Sequence, residues 1–248
     1  MAKTKYKLHE NPRLSANQLA EIVNASPSRR KTIIQQAKFP KTAIVAQYRD
    51  ASDGIVNFLT NDARTLPNFH AKIEGLQAKF EDPSLSEWKR NDASRSAEAL
   101  SAVMASYNKT GLGSLDLRAL PQSKPKVNIE GVRISSSAVC SVHGVFRKQP
   151  AVGCLSLYIN KSETSGAKRM EHCRSAAVVS LLYAKQHLSD YGAAVPKMNL
   201  SYDVFQGKLV QAPNGYKTRL GNMHAACESV VLWWDQIDPP SDYDGPTC

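Results

Sequence analysis

The apolar residues in the first hundred positions follow a helical spacing. Residues three and four positions apart share one face of a helix, so this spacing predicts amphipathic helices. The faces of the first two are Leu19, Ile22, Val23 and then Ile33, Ile34, Ala37. The same spacing predicts three longer helices, over about 42–59, 68–80 and 84–107.

Polar residues and prolines punctuate these helices at the expected places. Ser15 and Gln18 fit a capping box, in which each side chain serves a free backbone N–H of the first turn. Ser26 can cap a second helix that has Pro27 at its first position, where the missing N–H costs nothing. Pro40 ends that helix. The first 80 residues are therefore predicted to be a helical region.

The pattern changes after position 108. Glycines and prolines in 109–126 predict a linker or long loop. Beyond it, strand-like and helix-like patterns alternate, with strands over 127–135, 138–146, 151–159, 198–205 and 208–211 and helices over 167–188 and 217–237. The acidic, proline-containing segment 238–248 is predicted to be a disordered tail. The sequence thus predicts an α+β protein: a helical N-terminal region (1–80), then a mixed β-sheet flanked by helices (84–237).

The positive charge is concentrated near the N-terminus. The chain of 248 residues has a formal net charge of +10. Residues 1–49 hold ten Lys or Arg and two acidic residues, a net charge of +8. Such a concentration attracts polyanions, which favours nucleic acid as a partner. A solvated basic tail and a patch for an acidic protein partner are the alternatives.

The two short helices have the layout of a helix-turn-helix unit. In such a unit the second helix enters the major groove with its first residues near the bases, so we expect DNA rather than RNA. The predicted nucleic-acid contacts are Ser28, Arg29, Arg30, Lys31, Gln35 and Lys38. The turn lacks the glycine that is common in such motifs, and these helices could instead pack on the rest of the helical region with their charges in water.

The element order of residues 84–237 resembles the PD-(D/E)xK, or restriction-endonuclease-like, superfamily. That order is helix, three strands, helix, strand, a short further strand and helix. The resemblance implies a Mg²⁺- or Mn²⁺-dependent nuclease, or an inactive descendant of one. Such nucleases need an acid on the second strand and an acid-x-Lys on the third, where the acids hold the metal.

The catalytic pattern of that superfamily is missing here. The predicted second strand, 138–146, contains no acid, and the third reads Gly153 to Tyr158 without acid-x-Lys. Glu98, Glu130 and Asp203 are the acids left on suitable elements, and they are the candidate catalytic residues. The sequence favours a degenerate nuclease-like core that binds nucleic acid. A metal-dependent nuclease and a structural subunit of a larger assembly are the alternatives.

Cysteine, histidine and tryptophan positions add little to this picture. Cys140-x-x-His143 and His224-x-x-Cys227 are zinc-ligand types, but Cys140 and His143 would point to opposite faces of a strand. We therefore expect no metal site there. Trp233 could be half exposed and meet a base or a protein partner.

The remaining patterns concern compartment and cofactors. The five scattered cysteines suit a reducing cytoplasm. The polar start of the chain predicts no signal peptide, and no apolar run is long enough for a membrane span. The common phosphate-loop and dinucleotide motifs are missing, so no cofactor is expected beyond Mg²⁺ or Mn²⁺ for a nuclease.

Overall fold

The protein is an α+β protein, as predicted. The computed structural model describes residues 5–42, 47–61, 63–121, 125–161 and 165–245. Within these residues the α-helices are α1 (Ala16–Asn24), α2 (Pro27–Lys38), α3 (Arg49–Leu59), α4 (Leu66–Glu81), α5 (Glu87–Thr110), α6 (Gly166–His187) and α7 (Tyr216–Trp234). The strands are β1 (Arg13–Ser15), β2 (Asp116–Ala119), β3 (Val127–Ile129), β4 (Val132–Ser135), β5 (Ala138–Phe146), β6 (Gln149–Tyr158), β7 (Ala193–Ala194), β8 (Leu200–Asp203) and β9 (Lys208–Gln211).

A large mixed sheet forms the centre of the molecule. Its strand order is β2-β5-β6-β8-β9, with the short β7 paired to β6. β6 runs parallel to β8 and β7, and the other pairs are antiparallel. Because successive side chains of a strand point to opposite faces, Val152 and Cys154 pack into one core while Leu155 packs into the other. Helices α3, α4 and α5 cover one face, and α6 covers the other.

A small sheet of order β1-β4-β3 joins the N-terminal segment to the middle of the chain. β1 runs parallel to β4, and β3 and β4 form an antiparallel hairpin. Leu14, Ile134 and Val127 lie in one row on its buried face. The sheet therefore packs against the same core as α6 and α7.

This packing contradicts the predicted division of the chain near residue 80. The apolar faces of α1 and α2 share one hydrophobic core with α6, α7 and β3–β4. α1 contacts both α6 and α7, and α2 contacts α7. The helical region 1–80 is thus divided between the two cores, since its α3 and α4 pack with α5 on the other face of the large sheet.

The predicted linker 109–126 is wrong over part of its length. Gly111, with φ of 75°, ends α5 in the left-handed conformation that glycine adopts without a steric penalty. β2 follows and pairs with β5, and it buries only Leu117. One buried residue in an edge strand leaves no periodic signal. The large sheet therefore begins at β2, while 127–135 belongs to the small sheet.

The predicted disordered tail is also wrong for the residues that the structure describes. The Tyr6 hydroxyl donates to Asp242 over 2.8 Å. The Tyr243 ring packs against the rings of Tyr6 and Phe39, with centroids 5.7 and 5.0 Å away. Residues 238–245 are therefore ordered against the N-terminal segment, because the Tyr243 ring packs on two aromatic rings there.

Helix boundaries differ from the predictions mainly in the third helix. α3 begins at Arg49 rather than near residue 42, after Tyr48 in a left-handed conformation. Ile44 and Val45, on which the earlier start was predicted, lie outside the described residues. α5 continues through its polar middle, 91–96. Within the described part of the chain, no helix has an apolar stretch long enough to cross a membrane.

Candidate functional site

The helix pair α1–α2 uses several of its predicted contact residues to hold itself in place. The Lys38 ammonium group is buried and donates to the carbonyl of Trp234 over 2.8 Å. The Gln35 amide donates to the carbonyl of Asp238 over 2.9 Å. Both bonds fasten α2 to the end of α7. Each side chain therefore already serves a backbone carbonyl, and the contact of Lys38 and Gln35 with nucleic acid stays a prediction that these bonds do not favour.

The cations at the start of α2 also have partners within the protein. Arg30 donates to the carbonyls of Ala25 and Val23, over 3.0 and 3.4 Å, and so closes the turn after α1. Arg29 pairs with Glu21, and its Nη2 lies 2.6 Å from the carboxylate. Arg30 is thus committed to the turn, and much of the charge of Arg29 is neutralised.

Lys31 and Ser28 complete the predicted set on α2. The Lys31 ammonium lies 5.9 Å from the centre of the Trp233 ring, which is half-buried against the core. Ser28 is exposed and hydrogen-bonds to the Ser26 hydroxyl. These two side chains are at the surface, away from the buried side of α2 formed by Ile33, Ile34 and Ala37.

The three candidate catalytic acids do not meet. Glu98 on α5 pairs with Lys161 over 2.6 Å. Glu130, in the β3–β4 turn, accepts from His224 over 2.5 Å, and Asp203 on β8 forms an ion pair with Arg169. No three His, Cys, Asp or Glu residues are grouped to hold a metal ion in the described part of the chain. The predicted acid set for Mg²⁺ or Mn²⁺ is therefore wrong.

The cysteine and histidine motifs are likewise separated by the fold. Cys140 and Cys227 are both buried, but in different hydrophobic cores. Burial raises the pKa of the Cys227 thiol to about 12, so it is a protonated, apolar core residue at neutral pH. His143 bonds to the Ser141 hydroxyl and His224 to Glu130.

A cluster of cations lies on the outer face of the small sheet. Arg13 on β1 and Arg133 on β4 are register partners, so their side chains leave the same face side by side. Lys126 lies next to them, and its ammonium donates to Ser135 over 2.9 Å. With His9 they line a cavity of about 210 Å³, which Leu8, Glu10 and Asn11 complete. We call Arg13, Lys126, Arg133 and His9 the basic face.

The electrostatics of the basic face are those of like charges held together. Partial burial lowers the pKa of Lys126, and the charges of Arg13 and Arg133 lower it further. The pKa of His9 is lowered in the same way, by burial and then by Arg13 and Lys7. Among the residues that the structure describes, Arg13, Lys126 and Arg133 take part in none of the ion pairs. An anion bound here would relieve this repulsion.

A second basic surface lies at the tip of the β5–β6 hairpin. Arg147 and Lys148 form the two-residue turn, with φ of 51° and 67°. The Arg147 guanidinium and the Lys197 ammonium lie 5.3 and 6.0 Å from the centre of the Phe146 ring. Val145 is 75% exposed.

Both basic surfaces adjoin the C-terminal end of α6. The His187 ring at that end donates to the Lys126 carbonyl over 3.1 Å. The chain then continues through a short 3₁₀ helix, Ser189–Tyr191, to β7. β7 pairs with β6 at Ala151, just past the hairpin turn. One end of the molecule therefore carries cations from four separate stretches of the sequence.

The largest cleft among those described has a different character. It encloses about 740 Å³ between α1, α5, α6 and the end of β6. Glu98 and Lys161 on its wall are paired with each other, and Glu21 is paired to Arg29. Because its charges are of both signs and largely paired, it lacks the single-sign field that draws a polyanion.

Sequence reasoning missed both basic surfaces. Arg13 and Arg133 are 120 positions apart, and only the parallel pairing of β1 with β4 brings them together. The tip carried one local signal, namely two adjacent cations between strands with no acid from 144 to 150. The sequence matches no known family model, and no curated protein is similar enough to count as a relative.

Proposed function

We propose that the protein binds nucleic acid through the basic face. The observation that carries the proposal is the convergence of Arg13, Lys126 and Arg133 around one cavity, with no ion-pair partner for any of them in the described chain. Phosphate groups are the natural ligand of such a cluster, because they neutralise several cations at once and release condensed counterions. Lys7, which is exposed beside His9, extends the positive field.

The core supports a binding role more than a catalytic one. The predicted first strand, 127–135, lies in the small sheet, and β2 takes its place in the large one. With β3, β4 and β7 set aside, the elements run α5-β2-β5-β6-α6-β8-β9-α7, and this order still resembles the PD-(D/E)xK superfamily. Its second and third strands, β5 and β6, carry no acid. We therefore propose a nuclease-like scaffold used for binding. The nuclease alternative loses the three acids on which it was based.

The kind of nucleic acid is an outcome of the test. The expectation of DNA rested on a major-groove position for α2, whereas the basic face on which the present proposal rests contains no residue of α2. Phosphate contacts alone occur with either DNA or RNA.

A protein partner is the second candidate. Leu232 and Val231 on α7 are 69% and 41% exposed, and two neighbouring apolar side chains on a helix surface suit a protein contact. Replacing Leu232 with Asp should then abolish co-purification of a partner and leave the folded chain intact. A strictly monomeric, partner-free wild-type chain would remove this candidate.

The deciding experiment measures fluorescence anisotropy with labelled single- and double-stranded DNA and RNA at two salt concentrations. The test variant is Arg13→Ala with Lys126→Ala and Arg133→Ala. The control replaces Lys72, Lys89 and Lys109, which are exposed on α4 and α5, and so removes the same charge elsewhere.

The test variant is expected to bind more weakly and to flatten the dependence of log affinity on log salt by up to about 3, close to one for each phosphate contact. The control should retain most of the affinity. Equal losses in both variants would show that net charge alone drives binding. Failure of the unchanged protein to bind any strand at low salt would end the proposal.

A further inference from the structure

The turn of the β5–β6 hairpin holds two residues that are poorly suited to its geometry. A two-residue hairpin turn with positive φ at both positions favours Asn-Gly, because side chains beyond Cβ resist that backbone. The β3–β4 turn follows this rule, with Gly131 at its second position and φ of 79°. The β5–β6 turn instead keeps Arg147 and Lys148. The sequence therefore places two cations at the tip at a cost in stability.

Large apolar and aromatic side chains are exposed near this turn, in addition to its cations. Val145 is 75% exposed and Tyr191 is 56% exposed, although both are large apolar or aromatic side chains. The Tyr191 ring contacts His143 edge-on, with centroids 5.6 Å apart, so it is held in place while much of its surface faces solvent. Lys197 adds a third cation beside Phe146. Tyr191 lies on the His143 face of the hairpin and Lys197 on the Phe146 face, with Arg147 and Lys148 at the turn that joins the strands. An exposed, oriented aromatic ring beside a cationic turn is the combination that binds an unstacked base and its phosphates.

We propose that the hairpin tip, defined as Val145 to Lys148 with Tyr191 and Lys197, is a contact site for single-stranded nucleic acid. Arg147, Lys148 and Lys197 contact phosphates, and Tyr191 stacks on a base. This inference rests on the proposed function and adds the strand type to it. In a duplex the bases are already stacked on each other, so Tyr191 gains nothing there.

Two variants separate binding from folding. Arg147→Asn with Lys148→Gly installs the preferred turn and removes both charges. It is expected to raise the melting temperature by about 2–4 °C while it weakens binding to labelled oligo(dT) about tenfold. Tyr191→Ala should weaken oligo(dT) binding by a similar factor, and it should change duplex binding less than twofold. The Lys72, Lys89 and Lys109 variant controls for lost charge.

The outcomes distinguish this inference from the proposed function. Weaker oligo(dT) binding by a protein that melts at a higher temperature supports the tip as a contact site. Unchanged oligo(dT) affinity in both variants overturns it, and the proposed function then stands if the basic-face variant still loses affinity. Equal losses on oligo(dT) and duplex overturn the single-strand assignment. No binding by the unchanged protein overturns the proposed function itself.

Discussion

Replacing Asp203 with Asn should destabilise the protein strongly without touching its binding surface. The side chains of Asp203 and Arg169 are each 5% exposed, and Arg169 donates to both carboxylate oxygens. Its remaining nitrogen donates to the Asn160 carbonyl over 2.6 Å. The neutral amide keeps the shape but removes the carboxylate charge that balances the buried guanidinium between α6 and β8.

The size of the loss follows from that burial. Removing one partner of a buried ion pair costs about 3–5 kcal/mol, because the other charge remains desolvated and unpaired. A domain of this size has a total stability of about 5–15 kcal/mol, so the variant should be close to the limit of folding. Arg169→Met leaves the buried carboxylate alone and should cost a similar amount.

Urea unfolding followed by circular dichroism measures this loss directly. The double variant Arg169→Met with Asp203→Leu removes both charges, and it should recover at least about 2 kcal/mol relative to the sum of the single losses. Additive losses, or a loss below about 1 kcal/mol for Asp203→Asn, would refute the ion-pair argument. A folded Asp203→Asn protein that no longer bound nucleic acid would instead place Asp203 in the functional site.

Two further predictions concern titratable groups. The pKa of His9 lies below its usual 6.5, so His9 is neutral at pH 7 and gains its charge only as the pH falls through that lower value. As the pH falls, nucleic-acid binding should therefore strengthen, and the slope of log affinity against log salt should become steeper by up to about 0.9. The His9→Ala variant should show neither change. The buried thiols, among them Cys173 with a pKa raised to about 11, should resist a thiol reagent in native Cys248→Ser protein and react in urea. Prompt labelling of that variant without denaturant would contradict their burial.

Local signals predicted the helices well because their causes are local. The Ser15 hydroxyl and the Gln18 side chain make the two reciprocal bonds of the capping box, at 3.1 and 2.8 Å. Ser26 caps α2, with Pro27 at its first position. Each of these bonds joins residues three positions apart, so the sequence contains all the information they need.

Local sequence signals could not predict the strands that form by pairing between distant segments of the chain. β1 has three residues, and its strand character comes from pairing with β4 rather than from any alternation of its own. β2 has four residues and only one that is buried. Edge strands of this length are stabilised by their neighbours in the sheet, which no local pattern records. The basic face depends on β1, so it could not be predicted without that pairing.

The density of charge along the chain and the density of charge in space diverge in this protein. The excess of positive charge in residues 1–49 suggested that α2 binds the polyanion. Lys38 and Arg30, however, donate hydrogen bonds to backbone carbonyls of the protein. Arg13, from the same excess, meets Arg133 and Lys126 from the second half of the chain. A cation already bonded to protein must break those bonds to reach a phosphate, whereas one repelled by its neighbours gains from meeting it. The convergence of several cations that have no ion-pair partner in the described part of the chain, rather than the count of Lys and Arg, therefore identifies the surface to mutate first.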